Sequence, residues 1–403
     1  MYLPESRSGN RACTETERLD TVILRLSKKY FGRESAVLPQ TLVSRGQWKR
    51  CNEYLGTRSG FPQRCEVWSR EEAPMRMVKL GAIQPRSVDI PERYSCLSEN
   101  YRNDPAEIVE HYMKPQLAVT ANLLERAAEQ GCDIVTTTED ASGLSQYLSD
   151  ITEKNILPEL VELGEPFVQK TLSEIARKHS MYVVGCYLKR RDGKNYNCAT
   201  IFDRQGYLAG EYRKSHLPAN ERWQFTPGDA IDVFDVDFGR IGICICYDMM
   251  FPEFVQVQAL KGAEIIFHPT FGLNWHDSIG EATLRTRAND NGVYIVTSKN
   301  YVYNSAGKSS IIDFWGQVLC DAGFNENEVV VKEIDLDSRK RQPAWYFNTQ
   351  TTGIDEVTVR LLKERRPELY TLITKPCGEK LQTLSDRQKL EVFARIKTGD
   401  CHW

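Results

Sequence analysis

The chain has 403 residues, 41% hydrophobic and 27% charged, the composition of an ordinary globular protein with enough length for a large core. A net charge of −3 gives no electrostatic attraction for nucleic acid or an anionic membrane, and no apolar run approaches the roughly 20 residues that span a bilayer. Twelve cysteines without a CxxC pair are too few for a disulfide scaffold.

Residues 1–76 carry fourteen Lys and Arg against nine Asp and Glu, near +5, with the remainder near −8. Helices are expected over Thr14–Tyr30 and Ser44–Tyr54, with no obvious set of strands. The segment reads either as a basic docking arm or as a peripheral or poorly ordered extension. Thr21-Val22-Ile23-Leu24 is too short for a secretory apolar region, which points to the cytoplasm, and Met77 is a candidate alternative start.

From Met77 onward strand and helix patterns alternate. Val78–Gln84 reads as a strand, Pro115–Gln130 as an amphipathic helix, Ile134–Thr138 as a buried strand and Pro166–His179 as a helix. Strands follow at Tyr182–Leu188, Cys198–Asp203 and Tyr207–Tyr212, with Asp192-Gly193 and Gln205-Gly206 as turns. Ile231–Phe238 and Arg240–Cys246 pair across Gly239. Beyond them come a helix at Phe254–Lys261, a strand at Glu264–His268, a helix at Glu281–Asn289, and strands at Tyr294–Lys299, Ser309–Phe314 and Val329–Ile334. This is an α/β pattern with both sheet faces covered. Residues 77–338 therefore form the main domain, and 339–403 a charged tail that lies on a partner subunit or on its own domain, with a further helix at Leu384–Ile396.

Three strand ends carry reactive side chains. The run Gly239–Cys246 closes on a thiol just where helix-compatible residues begin, so unpaired amides there favour a thiolate or an oxyanion. Gly131–Asp140 delivers Glu139, with Asp140 as the rival carboxylate, and Gly206–Tyr212 leads to Lys214 before Pro218 stops regular structure. Taken singly, the thiol is an ordinary buried hydrophobe and the charges are solvated loop residues. Taken together they are a nucleophile, a proton acceptor and an oxyanion stabiliser. Cys244 shares a strand face with Cys246, but with His268 and His276 they lack zinc-type spacing, and a packed Cys244 is the simpler reading.

These segments carry a resemblance. The chain is similar to carbon–nitrogen hydrolases of the nitrilase superfamily, over about Met77 to Tyr370. The resemblance rests on Lys79-Leu80-Gly81-Ala82-Ile83-Gln84, on Tyr212-Arg213-Lys214-Ser215-His216-Leu217-Pro218, and on Glu221 followed by Phe225-Thr226-Pro227-Gly228. It continues in Cys246-Tyr247-Asp248 with Phe251-Pro252-Glu253, Arg287-Ala288 with Asn291, Gly307–Asp313 and Arg366–Tyr370. It implies a four-layer α-β-β-α sandwich, a homodimer or larger homo-oligomer, no cofactor or metal, and a Glu139-Lys214-Cys246 triad. It further implies that Glu221 holds the lysine and that the Tyr247 backbone N–H joins Lys214 at the oxyanion. Thr138 departs from the family's proline before the glutamate, and nothing before Met77 has a counterpart.

Cys246-Tyr247-Asp248 looks like the amidase and carbamoylase branches, whereas true nitrilases usually show Cys-Trp-Glu. The expected substrate is thus a small linear amide or N-carbamoyl compound. Nitrile hydrolysis, a catalytically silent binding protein and a redox thiol pair are the alternatives. No GxxxxGK[ST] loop supports an ATP-dependent ligase. Thr270, Trp275 and His276, in the loop after a strand, are candidate pocket residues, together with Asn197 beside the triad and Arg287 as a bidentate carboxylate binder. His216 is expected to be structural.

Overall fold

The computed structural model describes residues 54–55, 63–64, 75–91, 104–144, 156–218, 221–272, 277–301, 308–341, 362 and 364–376. The chain divides into two compact units, Met1–Pro74 and Met75–Trp403. In the first, Tyr54–Leu55 and Gln63–Arg64 form a two-stranded antiparallel ribbon. Tyr54, expected to close a helix, is therefore in a strand. The other residues of the helices expected over 14–30 and 44–54, and the helix expected over 384–396, lie outside the described residues.

The second unit holds two six-stranded sheets. The first is built from β1 (Met77–Gln84), β2 (Ile134–Thr136), β3 (Tyr182–Arg191), β4 (Lys194–Phe202), β5 (Leu208–Arg213) and the late strand β12 (Glu328–Asp335). Its order is β12-β1-β2-β3-β4-β5, with β1, β2 and β3 parallel and the rest antiparallel. The second sheet is built from β6 (Val233–Val236), β7 (Gly239–Ile243), β8 (Ile265–Thr270), β9 (Tyr294–Lys299), β10 (Ser310–Ile312) and β11 (Val318–Asp321). It runs in the order β11-β10-β9-β8-β7-β6 with β7, β8 and β9 parallel. Each sheet thus presents three parallel strands ending at one edge, where open α/β sheets gather their ligands.

Side-chain alternation explains the layering. On β1, Val78, Leu80 and Ala82 join the core shared with Ile241, Ile243, Ile265 and Phe267 of the other sheet, while Ile83 turns to the opposite side. That opposite side packs on α1 (Lys114–Glu129) and α2 (Leu157–His179) through Leu117, Leu124, Val168, Leu172 and Ile175. The second sheet is covered by α3 (Pro252–Leu260) and α4 (Asp277–Asn291), whose Phe254, Val255, Leu284 and Ala288 are buried against it. Two sheets face to face with helices on both outer sides make the four-layer α-β-β-α sandwich.

Several boundaries differ from the sequence expectation. The helix expected from Pro166 begins at Leu157 and passes through Pro166. The proline removes one helical hydrogen bond, but the buried row Leu157, Leu160, Val161, Val168, Leu172 and Ile175 continues on both sides of it. β2 is only three residues long, and β11 was not anticipated because Val318–Asp321 is short and largely unburied. The Asp192-Gly193 turn is as expected: both residues have positive φ, 50° and 73°, which the tight β3–β4 hairpin requires. Among the described residues no helix is long and apolar enough to cross a membrane.

Candidate active site

Glu139 stands three residues beyond β2. The chain stays extended there because Thr137 N donates to Val184 O at 2.9 Å and Cys186 N donates to Thr137 Oγ1 at 2.9 Å. Lys214 follows β5, with its N–H given to Asn197 O and its carbonyl receiving Gly228 N, both at 2.9 Å. Cys246 follows β7 and opens a five-residue 3-10 turn, Cys246–Met250. Its φ is +45°, a left-handed backbone that costs a non-glycine residue on the order of 1–3 kcal/mol. The turn sets the thiol beside the first amides of the helical turn, where Tyr247 N–H has no intrahelical acceptor.

The three side chains meet. Lys214 Nζ donates to Glu139 Oε1 at 2.7 Å and to Glu221 Oε1 and Oε2 at 2.8 and 2.9 Å. Glu139 Oε1 also accepts Asn197 Nδ2 at 3.0 Å, and Oε2 accepts Phe271 N at 3.0 Å. The Cys246 thiol lies near enough to this pair for the Glu139 and Lys214 charges both to act on it. Lys214 has no exposed surface and Glu139 almost none, while Cys246 is only partly covered. The rival carboxylate, Asp140, instead accepts Ser142 N at 2.9 Å and Ser142 Oγ at 2.8 Å within its own loop.

Electrostatics define the resting protonation. Burial raises the Glu139 carboxyl, but the Lys214 charge and hydrogen bonds from Lys214, Cys246 and Phe271 outweigh it, so the group sits below its ordinary value. Burial disfavours the Lys214 ammonium, yet two flanking carboxylates hold its pKa well above the usual range. Burial, reinforced by the Glu139 charge, pushes the Cys246 thiol up to about 12 against the opposing pull of Lys214 and Thr270. The set therefore rests as carboxylate, ammonium and neutral thiol. The Lys214 ammonium alone would enrich the thiolate, but Glu139 and desolvation prevail. Glu221, mainly through burial, rises to about 7.

His268 lies on β8 beneath the nucleophile turn, with Nε2 3.3 Å from Cys246 O and Nδ1 2.9 Å from Thr297 Oγ1. Burial lowers its pKa to about 3, so the ring is neutral. Both ring nitrogens are engaged, and among the described residues no cluster of three or more His, Cys, Asp or Glu is placed to hold a metal. Arg287 is on α4, part-buried, and its charge is felt by Cys244 behind the turn. Trp275 and His276 lie outside the described residues. Asn197 bonds the glutamate directly, and Thr270 acts on the thiol by lowering its pKa. Sequence reasoning missed the Phe271 N–H, which has no side-chain signature, and the part played by Asp248, whose only signal was its place two residues after Cys246.

The Carbon-nitrogen hydrolase family profile matches residues 107–344. The chain is 32% identical over 281 residues to omega-amidase NIT2 of Mus musculus, covering 64% of this chain and 92% of that protein. To omega-amidase NIT2 of Homo sapiens it is 34% identical over 233 residues, covering 53% and 81%. Among solved structures it is similar to a carbon–nitrogen hydrolase from Helicobacter pylori G27, with TM-score 0.58 and 23% identity over 75% of this chain and 99% of that one. Another is an amidase from Nesterenkonia sp., with TM-score 0.55 and 20% identity over 73% and 96%. At these identities the structural likeness concerns the fold.

Proposed function

Because the chain belongs to the carbon–nitrogen hydrolase family, within the nitrilase superfamily, we propose that it hydrolyses a small linear amide through a thioester on Cys246. Glu139 takes the proton from Sγ as the sulfur attacks the amide carbon. That transfer is uphill at rest, given a thiol near 12 and a carboxyl below its usual value, so it proceeds together with C–S bond formation. The developing oxyanion is met by the Lys214 ammonium and the Tyr247 N–H. Glu139 returns its proton to the nitrogen, the C–N bond breaks and ammonia leaves. Water, deprotonated by Glu139, then attacks the thioester; the acid departs and the proton returns to sulfur. Glu221 keeps Lys214 charged and aimed.

The observation that carries this reading is the buried contact of Lys214 with Glu139 at 2.7 Å, with the Cys246 thiol near enough to be acted on by both charges. Similarity to relatives named omega-amidase favours an amide at the ω end of a small acid over an N-carbamoyl compound, and Cys246-Tyr247-Asp248 disfavours a nitrile.

The test is a panel of ω-amides, simple amides, N-carbamoyl amines and nitriles, scored for ammonia and carbon dioxide. Ammonia without carbon dioxide, abolished in Cys246→Ala, is expected. Carbon dioxide release would move the reading to the carbamoyl class. Turnover surviving Cys246→Ala would refute it.

A further inference from the structure

Asp248 is fully buried, and no step above uses it. Its carboxylate nevertheless accepts four hydrogen bonds, the full complement of its lone pairs. Oδ2 receives Tyr212 Oη at 2.7 Å and Ile245 N at 3.1 Å; Oδ1 receives His216 N at 2.8 Å and His216 Nδ1 at 2.9 Å. The donors have a pattern. Tyr212 and His216 stand two residues before and two after Lys214. Ile245 immediately precedes Cys246. One carboxylate therefore grips the lysine segment on both flanks and the nucleophile turn at its start.

The remaining contacts fit the same role. Asp248 N donates back to Ile245 O at 3.0 Å, closing a loop around Cys246, the residue with the left-handed backbone. The His216 ring stacks on Phe251 at 3.8 Å between centroids, tying the far end of the same turn to the lysine segment. Lys214 leaves the first sheet and Cys246 the second, so β-ladder hydrogen bonds do not set their separation. Asp248 bridges the two.

We propose that Asp248 is the positioning residue that sets the Lys214 ammonium against the Cys246 sulfur, through Tyr212 and His216 on one side and Ile245 on the other. The proposal rests on Cys246 and Lys214 acting as described under Proposed function. In Asp248→Asn, two of the four donors would face an amide NH2. Lys214 and Cys246 would keep their own chemistry but lose their mutual placement. A misplacement of about 1 Å costs on the order of 100-fold in rate.

The full chain is compared as wild type, Asp248→Asn and Tyr212→Phe. The readouts are kcat and KM on the best amide, the rate of Cys246 alkylation by iodoacetamide, and the melting temperature. Positioning predicts kcat and alkylation about 100-fold lower in Asp248→Asn, with KM nearly unchanged and a folded protein. Tyr212→Phe keeps the Asp248 charge and removes the Tyr212 tie, together with the bond that Ser215 N donates to Tyr212 Oη at 3.1 Å, so it should lose on the order of tenfold in the same two readouts. If Asp248→Asn does not fold, Tyr212→Phe decides alone. An unchanged Tyr212→Phe would mean that Asp248 acts through charge or stability only, and would overturn the proposal, as would kcat losses explained by unfolding. Failure of the underlying reading looks different: the wild type itself would release no ammonia, or label no faster at Cys246 than the Cys246→Ala background.

Discussion

Lys214 lies between two acids, and its removal leaves the buried Glu139 and the part-buried Glu221 without their cation. Lys214→Ala should lower stability by about 3–5 kcal/mol, the cost of stranding buried charge. It should also lower kcat by about 10²–10³, the usual loss of an oxyanion donor. Thermal melts and steady-state rates separate the two effects. Glu221 supplies a pH test. Its folded-state pKa, about 7, lies above the ordinary 4.5, so the folded protein binds this proton more tightly than the unfolded one. Its contribution to stability is therefore full below 4.5 and is lost as pH rises through about 7. Glu221→Gln cannot ionise, so its melting temperature should improve relative to wild type across that window. A difference that stays flat with pH would contradict the assignment. At this scale the sequence named the thiol, the lysine and Glu139, with Asp140 as the rival acid, and the Lys214 contact falls on Glu139. Glu139 and Asp140 are neighbours in an irregular segment, where side-chain direction depends on the partners that the fold supplies.

The strand ends that bear these residues are held by the loops beside them. Gly228 gives its N–H to Lys214 O, and a Cβ at Gly228 would stand 2.2 Å from Arg213 O. That neighbour is backbone and cannot step aside, so Gly228→Ala must move the chain at the lysine. A destabilisation of about 1–3 kcal/mol is expected, with a fall in kcat beyond the fraction unfolded. Melting and active-site titration by iodoacetamide would check both. Gly228 was visible in Phe225-Thr226-Pro227-Gly228, but a motif does not disclose the carbonyl it must clear. The elements with long apolar periodicity, such as α1 and β1, were legible to within a residue or two. The short β2 was not well bounded and β11 was missed, because three or four residues hold too little pattern to mark a strand.

At the scale of the whole unit, the chemistry occupies one edge of the sandwich and an ion-pair network the other. Arg76 contacts Glu264 at 2.8 Å and Asp337 at 2.6 Å, and Arg339 reaches Glu264 at 3.4 Å. Glu264 immediately precedes β8, whereas Thr270 closes it, so the network lies about 20 Å from the thiol at strand geometry. Arg76→Ala should cost about 1–3 kcal/mol, moderated by the exposure of Arg76, while kcat is retained. A large loss of kcat in a folded variant would show that the two edges are coupled. The sequence alone determined the alternation of strands and helices, the order of Glu139, Lys214 and Cys246, and their places after strands, because periodicity and strand termini are local properties. Only the tertiary structure decided the pairing of six strands with six, the separate bonding of Asp140 within its own loop, the neutral thiol and the four-way grip of Asp248. Each of those depends on which groups, far apart in the chain, exclude water from one another.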